Sequence, residues 1–165
     1  MSQTTLDIKE PGLNVLPPGV ERHVVNAGGL TGLQIFPDDE IEIINEEGNQ
    51  ICEIICFDKD GKSELGILNQ KENCKKSFIK ELLKGKDESS LITNLQLKKR
   101  NLDINKSKSS ILFDEQTPSG EKIKIKSKDK CYVIFAAPQN NMLVSEQNPS
   151  SDLTVSYTHL TLPTK

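Results

Sequence analysis

Tryptophan is absent from this chain of 165 residues, and aromatic residues make up only 4% of it. A core built from such a sequence must rest on Ile, Leu and Val. Histidine occurs twice, which argues against a His-rich metal centre or a catalytic triad with a choice of bases. No stretch approaches the ~20 apolar residues of a membrane-spanning helix. No apolar run follows Met1 as it would in a signal peptide, so a cytoplasmic protein is the expectation. Basic residues are not in excess: 21 Lys and Arg stand against 24 Asp and Glu, for a net charge of −3. That balance predicts neither nucleic acid nor membrane as a partner. Acidic residues concentrate between Asp38 and Glu64 and basic ones between Lys71 and Lys130, which reads as a solvated surface. The four cysteines are expected to be thiols of a reducing compartment.

What is present is mostly strand signal. Residues 1–19 form an extended arm, because Pro11, Gly12, Pro17, Pro18 and Gly19 forbid a helix. From Val20 onward short β-leaning runs recur: VERHVVNA, TGLQIF, EIEII and QICEIICF. The last two flank NEEGN and predict a hairpin. A DKDG turn follows. Strand signals return in ILF, in EKIKIK after TPSG, in CYVIFAA and in DLTV, which follows a long polar loop from Pro138. Between the two groups, the stripe Phe78, Ile79, Leu82 and Leu83 predicts a helix over Lys71–Lys84 with Gly85 as its cap. A second short helix fits Ser90–Leu97. The predicted fold class is mainly β (α+β), an antiparallel β-barrel or sandwich with one or two inserted helices.

Several motifs dissolve on inspection. Cys52 and Cys56 on one strand lie ~13 Å apart, too far to share a metal ion. Gly61-Lys62-Ser63 resembles the end of a phosphate-binding loop, but Cys56 stands where the first glycine is required. DKDGK lacks the ligands of a calcium loop. Lys122, Lys124 and Lys126 alternate with Ile123 and Ile125, the pattern of an edge strand guarded by charge. Glu53 is different. Strand parity puts it on one face with Ile51, Ile55 and Phe57, where a carboxylate is costly unless paired or used. Arg22 and His23, on a strand expected to be adjacent, are its candidate partners.

The last eleven residues, Val155–Lys165, resemble in order what a common transposase sequencing adapter encodes in one frame. They are expected to be a non-native tail, 155–165. The tail is expected to follow a single β-rich domain, 20–154, truncated at its C-terminal end.

Four islands together resemble the urea carboxylase-associated domain, of the kind fused ahead of T-protein-like aminomethyltransferases. They are RHVVNAGG (22–29), FPDDEIEI (36–43), EGNQICEIICF (47–57), and AAPQNNM (136–142) with QNPSSDL (147–153). The family pattern G-x-Q-x-x-D-x-x-x-F falls on Gly48, Gln50, Glu53 and Phe57, with Glu in place of Asp. Ala137 stands where metal-binding members carry Cys, and Lys128-Asp129-Lys130 replaces a His-bearing stretch, so no metal is expected. The resemblance implies an N-terminal accessory or substrate-binding β-domain of a folate-dependent aminomethyltransferase or demethylase. Its catalytic part, and any tetrahydrofolate, would lie downstream. The expected site binds a small amine or carboxylate, with Glu53 facing a cationic group, Gln50 and Arg22 orienting it and Gln139 at the rim. No catalytic residue is expected in this stretch. Two alternatives stand beside this reading: a stand-alone urea carboxylase-associated protein of amine or amide metabolism, and a structural docking module for the transferase domain.

Overall fold

A computed structural model describes residues 19–74, 77–114, 116–139 and 151–159. The predicted N-terminal arm up to residue 18, the loop 140–150 and residues 160–165 lie outside the described residues. The strands are β1 (Val20–Val25), β2 (Leu30–Ile35), β3 (Glu40–Asn45), β4 (Cys52–Asp58), β5 (Ser109–Phe113), β6 (Glu121–Lys126), β7 (Cys131–Ala136) and β8 (Leu153–Thr158). Two helices, α1 (Phe78–Leu82) and α2 (Glu88–Lys99), are inserted between β4 and β5.

The strands form two antiparallel four-stranded sheets, in the orders β1-β8-β3-β6 and β2-β7-β4-β5. The architecture is a sandwich and not a closed barrel. Among the described strands only the β4-to-β5 connection, which carries the helices, stays within one sheet. Every other connection crosses between sheets, and this corrects the predicted hairpin at NEEGN. The β3 strand pairs with β6 and β8, whereas β4 pairs with β5 and β7. Gly48 and Asn49, both at positive φ, turn the chain across. A Cβ on Gly48 would lie 2.7 Å from the Ser119 amide nitrogen, so only glycine lets the two turns meet.

The inner faces interlock through Val25, Ile35, Ile41, Ile43, Ile54 and Phe135, all fully buried. Each side chain of this size contributes roughly 1.5–3 kcal/mol by leaving water. The outer face of the second sheet carries Leu30, Ile55, Phe57 and Ile134, and the helices cover it with Ile79, Leu83 and Leu97. Strand β4 is therefore buried on both faces, from Cys52 to Phe57. The lysines of β6 lie at a sheet edge, Lys124 opposite Glu42 and Lys126 opposite Glu40. Cross-strand charge pairing and edge protection both follow from that register.

The helices differ from expectation in length. The Lys71–Lys84 pattern yields only the five residues of α1, because Cys74 bridges to Ser109 and Asn73 holds the Ile111 backbone with both ends of its amide. Residues 71–74 thus run beside β5 and cannot coil. The other helix is longer than its pattern suggested, at 12 residues.

Candidate functional site

Glu53 is fully buried beneath α1. Its carboxylate accepts the Ser77 hydroxyl at 2.6 Å, the Phe78 amide at 2.7 Å and the Ile79 amide at 3.0 Å. Ser77 in turn caps the Lys80 amide. A buried acid is thereby held by the positive end of a helix, which provides the partner its parity demanded. Gln50 is also fully buried and ties three segments together. Its amide nitrogen donates to the carbonyls of Ile51 and Pro138, and its oxygen accepts the Ser151 amide. Arg22 stands exposed on β1 of the opposite sheet, and its strand pairs with β8 rather than lying beside β4. Gln139 is exposed, with its side chain 3.8 Å from the position a Cβ on Gly28 would take. The four expected site residues are thus not gathered in one place.

What the fold does assemble is an open cleft of about 480 Å³ between the Asn26–Gly32 segment, the first turns of α2 and Tyr132. Gln139 borders it at Gly28. Glycines create the space. Gly28 has φ +75° and donates its amide to the Ala137 carbonyl. A methyl group on Gly32 would overlap the Tyr132 hydroxyl, so the phenol can lie across β2 only because that position is bare. Opposite, the Ser89 hydroxyl donates to Asp87 at 2.7 Å and accepts the Leu30 amide at 3.4 Å, which pins α2 to β2. Hydrogen bonds from Ser89 and Ser90 hold the Asp87 carboxyl below its ordinary range. With Glu88 beside it, the helix end of the cleft is acidic. Thr93, Gln96 and the Tyr132 hydroxyl add polar groups that can orient a small ligand.

Tyr132 also borders a second cleft, of about 350 Å³, lined by Gln34, Lys59, Arg100 and Lys130. There the Arg100 guanidinium lies 4.4 Å over the Tyr132 ring and donates to Gln34, which itself holds the Cys131 carbonyl. Asp58 and Asp60 line this cleft as well, so its charge is mixed, and one phenol separates it from the acidic cleft. Among the described residues no group of three His, Cys, Asp or Glu side chains is placed to hold a metal ion. Cys52, Cys56 and Cys131 are buried thiols; burial pushes the Cys52 thiol well above its ordinary range, and the hydrogen bond with Cys131, aided by burial, does the same to Cys56.

The chain resembles one fifth of a larger enzyme. It is 33% identical over 148 residues to trimethylamine-oxide aldolase of Ruegeria pomeroyi, a match covering 90% of this chain and 19% of that protein. Among solved structures it is similar to a DUF1989 family protein from Silicibacter pomeroyi, with a TM-score of 0.50 and 9% identity over 86% of this chain and 80% of that one. At that identity the likeness concerns the fold. No family model matches the chain.

The cleft residues escape strand and helix periodicity. Their one local signal is glycine: the Gly28-Gly29 doublet and Gly32 inside a strand both announce close approach. Asp87 and Ser89 read only as helix-start residues, and nothing in the sequence indicates that Tyr132 faces them.

Proposed function

We propose that this chain is the accessory, ligand-binding β-domain of a larger enzyme that acts on a small methylated amine or amine oxide. The similarity to part of trimethylamine-oxide aldolase, running through nearly the whole chain, carries this reading. The acidic cleft supports it: Asp87 and Glu88 suit the positive end of such a ligand, and the Tyr132 hydroxyl suits an oxygen acceptor. The adjoining cleft is mixed in charge, with Lys59, Arg100 and Lys130 beside Asp58 and Asp60, and it adds no second ligand class to this reading. In this reading the domain is of the urea carboxylase-associated kind, and folate-dependent one-carbon transfer belongs to polypeptide outside the chain. The clefts fit tetrahydrofolate poorly. Tyr132 is the aromatic side chain they offer, and Arg100 is stacked on its ring.

Titration of the chain with trimethylamine N-oxide, trimethylammonium and acetate, followed by calorimetry and by amide chemical shifts, tests the proposal. Saturable binding of the first two is expected, with shifts at Gly28–Gly32 and Ser89. It should weaken at least several-fold in Asp87→Asn/Glu88→Gln and in Tyr132→Phe. Glu53→Gln should leave affinity unchanged wherever the variant is folded, because its carboxylate faces α1 and not the cleft. Absence of saturable shifts at millimolar ligand, or shifts confined to other surfaces, would overturn the reading.

A further inference from the structure

Helix α2 turns most of its apolar side chains outward. Its inward stripe is Ser90, Thr93 and Leu97, two of them polar, and all three are buried. The Ser90 hydroxyl is tied to the Leu82 carbonyl and to Asp87. Its outward stripe holds Leu91, Ile92 and Leu95, which are 52%, 52% and 65% exposed. Scattered exposed apolar residues need no explanation, but three that are adjacent on one helix face do. The same face carries Glu88 before them and Lys99 after them, both exposed. Positions 88, 91, 92, 95 and 99 follow the i, i+3, i+4, i+7, i+11 spacing of a single stripe.

That stripe is complementary to itself. Two α2 helices packed antiparallel about a two-fold axis near Thr93 and Asn94 bring Glu88 of each copy opposite Lys99 of the other. Ile92 of each then meets Leu95 of the other. An isologous contact of this kind needs one patch that serves as its own partner, and an acid–apolar–base order along one helix face satisfies that requirement. Charges at helix ends are also favourable within a single helix. That effect explains Glu88 and Lys99 but not the leucines between them.

We propose that this face binds a second copy of the chain, through antiparallel pairing of α2 with α2. Three apolar side chains per copy make a contact smaller than the ~800 Å² per partner of a stable complex. The dimer is therefore weak and concentration-dependent. Glu88 and Ile92 also line the acidic cleft, so pairing sets the two clefts on either side of the symmetry axis and engages Glu88 of each with Lys99 of the other copy. The proposal does not rest on what the cleft binds.

Sedimentation of the chain from dilute to concentrated solution at low salt tests it. The mass should rise from 18.4 kDa toward twice that value, and amide exchange in α2 should slow in step. Leu95→Glu should abolish the rise with little change in melting temperature, since Leu95 is mostly exposed and has little packing to lose. Lys99→Glu should weaken the dimer several-fold, and Glu88→Lys in the same chain should restore it. Should Leu95→Glu fold poorly, Ile92→Gln serves the same purpose. A chain monomeric at every concentration overturns the proposal, as does a dimer indifferent to these changes. Protection of α2 only within a longer polypeptide also overturns it and assigns the face to that polypeptide.

Discussion

Glu53 carries the plainest lesson at the scale of one residue. Its strand parity requires a partner, and the structure supplies one from α1 rather than from β1 or a ligand. Glu53→Gln keeps one acceptor oxygen of the two and removes the charge facing the helix end. The expected cost is about 1–3 kcal/mol, read from urea unfolding with an unchanged slope. A loss smaller than the error of the extrapolation would show that the cap is dispensable. The two tyrosines give a second expectation. Burial raises the Tyr132 hydroxyl above its ordinary value against the pull of Arg100. Burial and a hydrogen bond donated to Asp39 raise that of Tyr157. Both are acids with raised folded values, so their stabilising effect is complete below about pH 10 and is lost as pH rises through the folded values. Alkaline titration should show almost no tyrosinate absorbance near pH 10, then its release together with unfolding. Gradual ionisation at the ordinary value in a folded chain would contradict this.

At the scale of the element, the two helices invert the order of their sequence signals. The Lys71–Lys84 stripe is the stronger pattern, yet it coils only from Phe78, where Glu53 and Ser77 satisfy the first amides. Periodicity reports which side chains face the core, and Ile79 and Leu83 do so. It does not report that Asn73 is committed to β5. Helix α2 has the weaker signal because its apolar residues are divided between two faces, Leu97 inward and Leu91, Ile92 and Leu95 outward. Ser90 and Asn94 anchor it to the carbonyls of Leu82 and Leu83 at the end of α1, and Asp87 accepts the Ser89 and Ser90 hydroxyls of its own first turn. Asp87 is a depressed acid, so its contribution is present above its ordinary value and lost as pH falls through the lowered one. Amide exchange at Ser89–Leu91 should therefore accelerate as pH drops below about 4, after correction for intrinsic rates. Asp87→Asn should remove that acceleration while leaving the β-sheet amides unaffected. Equal acceleration in the variant would assign the effect to other groups.

For the whole molecule the decisive strand is the one nearest the end of the chain. Strand β8 lies between β1 and β3 and is hydrogen-bonded to both, with Leu153, Val155 and Tyr157 in the core. Removing residues 153–165 leaves β1 without its partner and uncovers an edge of β3. The expected outcome is loss of the cooperative transition and aggregation at low micromolar concentration, seen by circular dichroism and light scattering. Replacing Val155, Ser156 and Thr158 by residues that keep 155 apolar, with Tyr157 retained for its bond to buried Asp39, should preserve the transition to within about 1.5 kcal/mol. The sheet needs the alternation there more than those particular side chains. A truncated chain that still melts cooperatively would show that the sandwich closes without β8.

Strands, turns and the inward sets of Ile and Val were legible in the sequence, because period-two burial and Gly or Asn turns are local properties. The sequence also marked Glu53 as costly on its apolar face, and it is fully buried and hydrogen-bonded. Which sheet each strand joins was decided only by tertiary structure, since pairing β3 with β4 and sending them to opposite sheets satisfy the same local pattern. The cleft was decided there too. It depends on Gly32 lying under Tyr132, on Ser89 reaching the Leu30 amide, and on which face of α2 turns outward. Contacts between residues so far apart in sequence are set by how the layers stack, and no spacing within one segment encodes them.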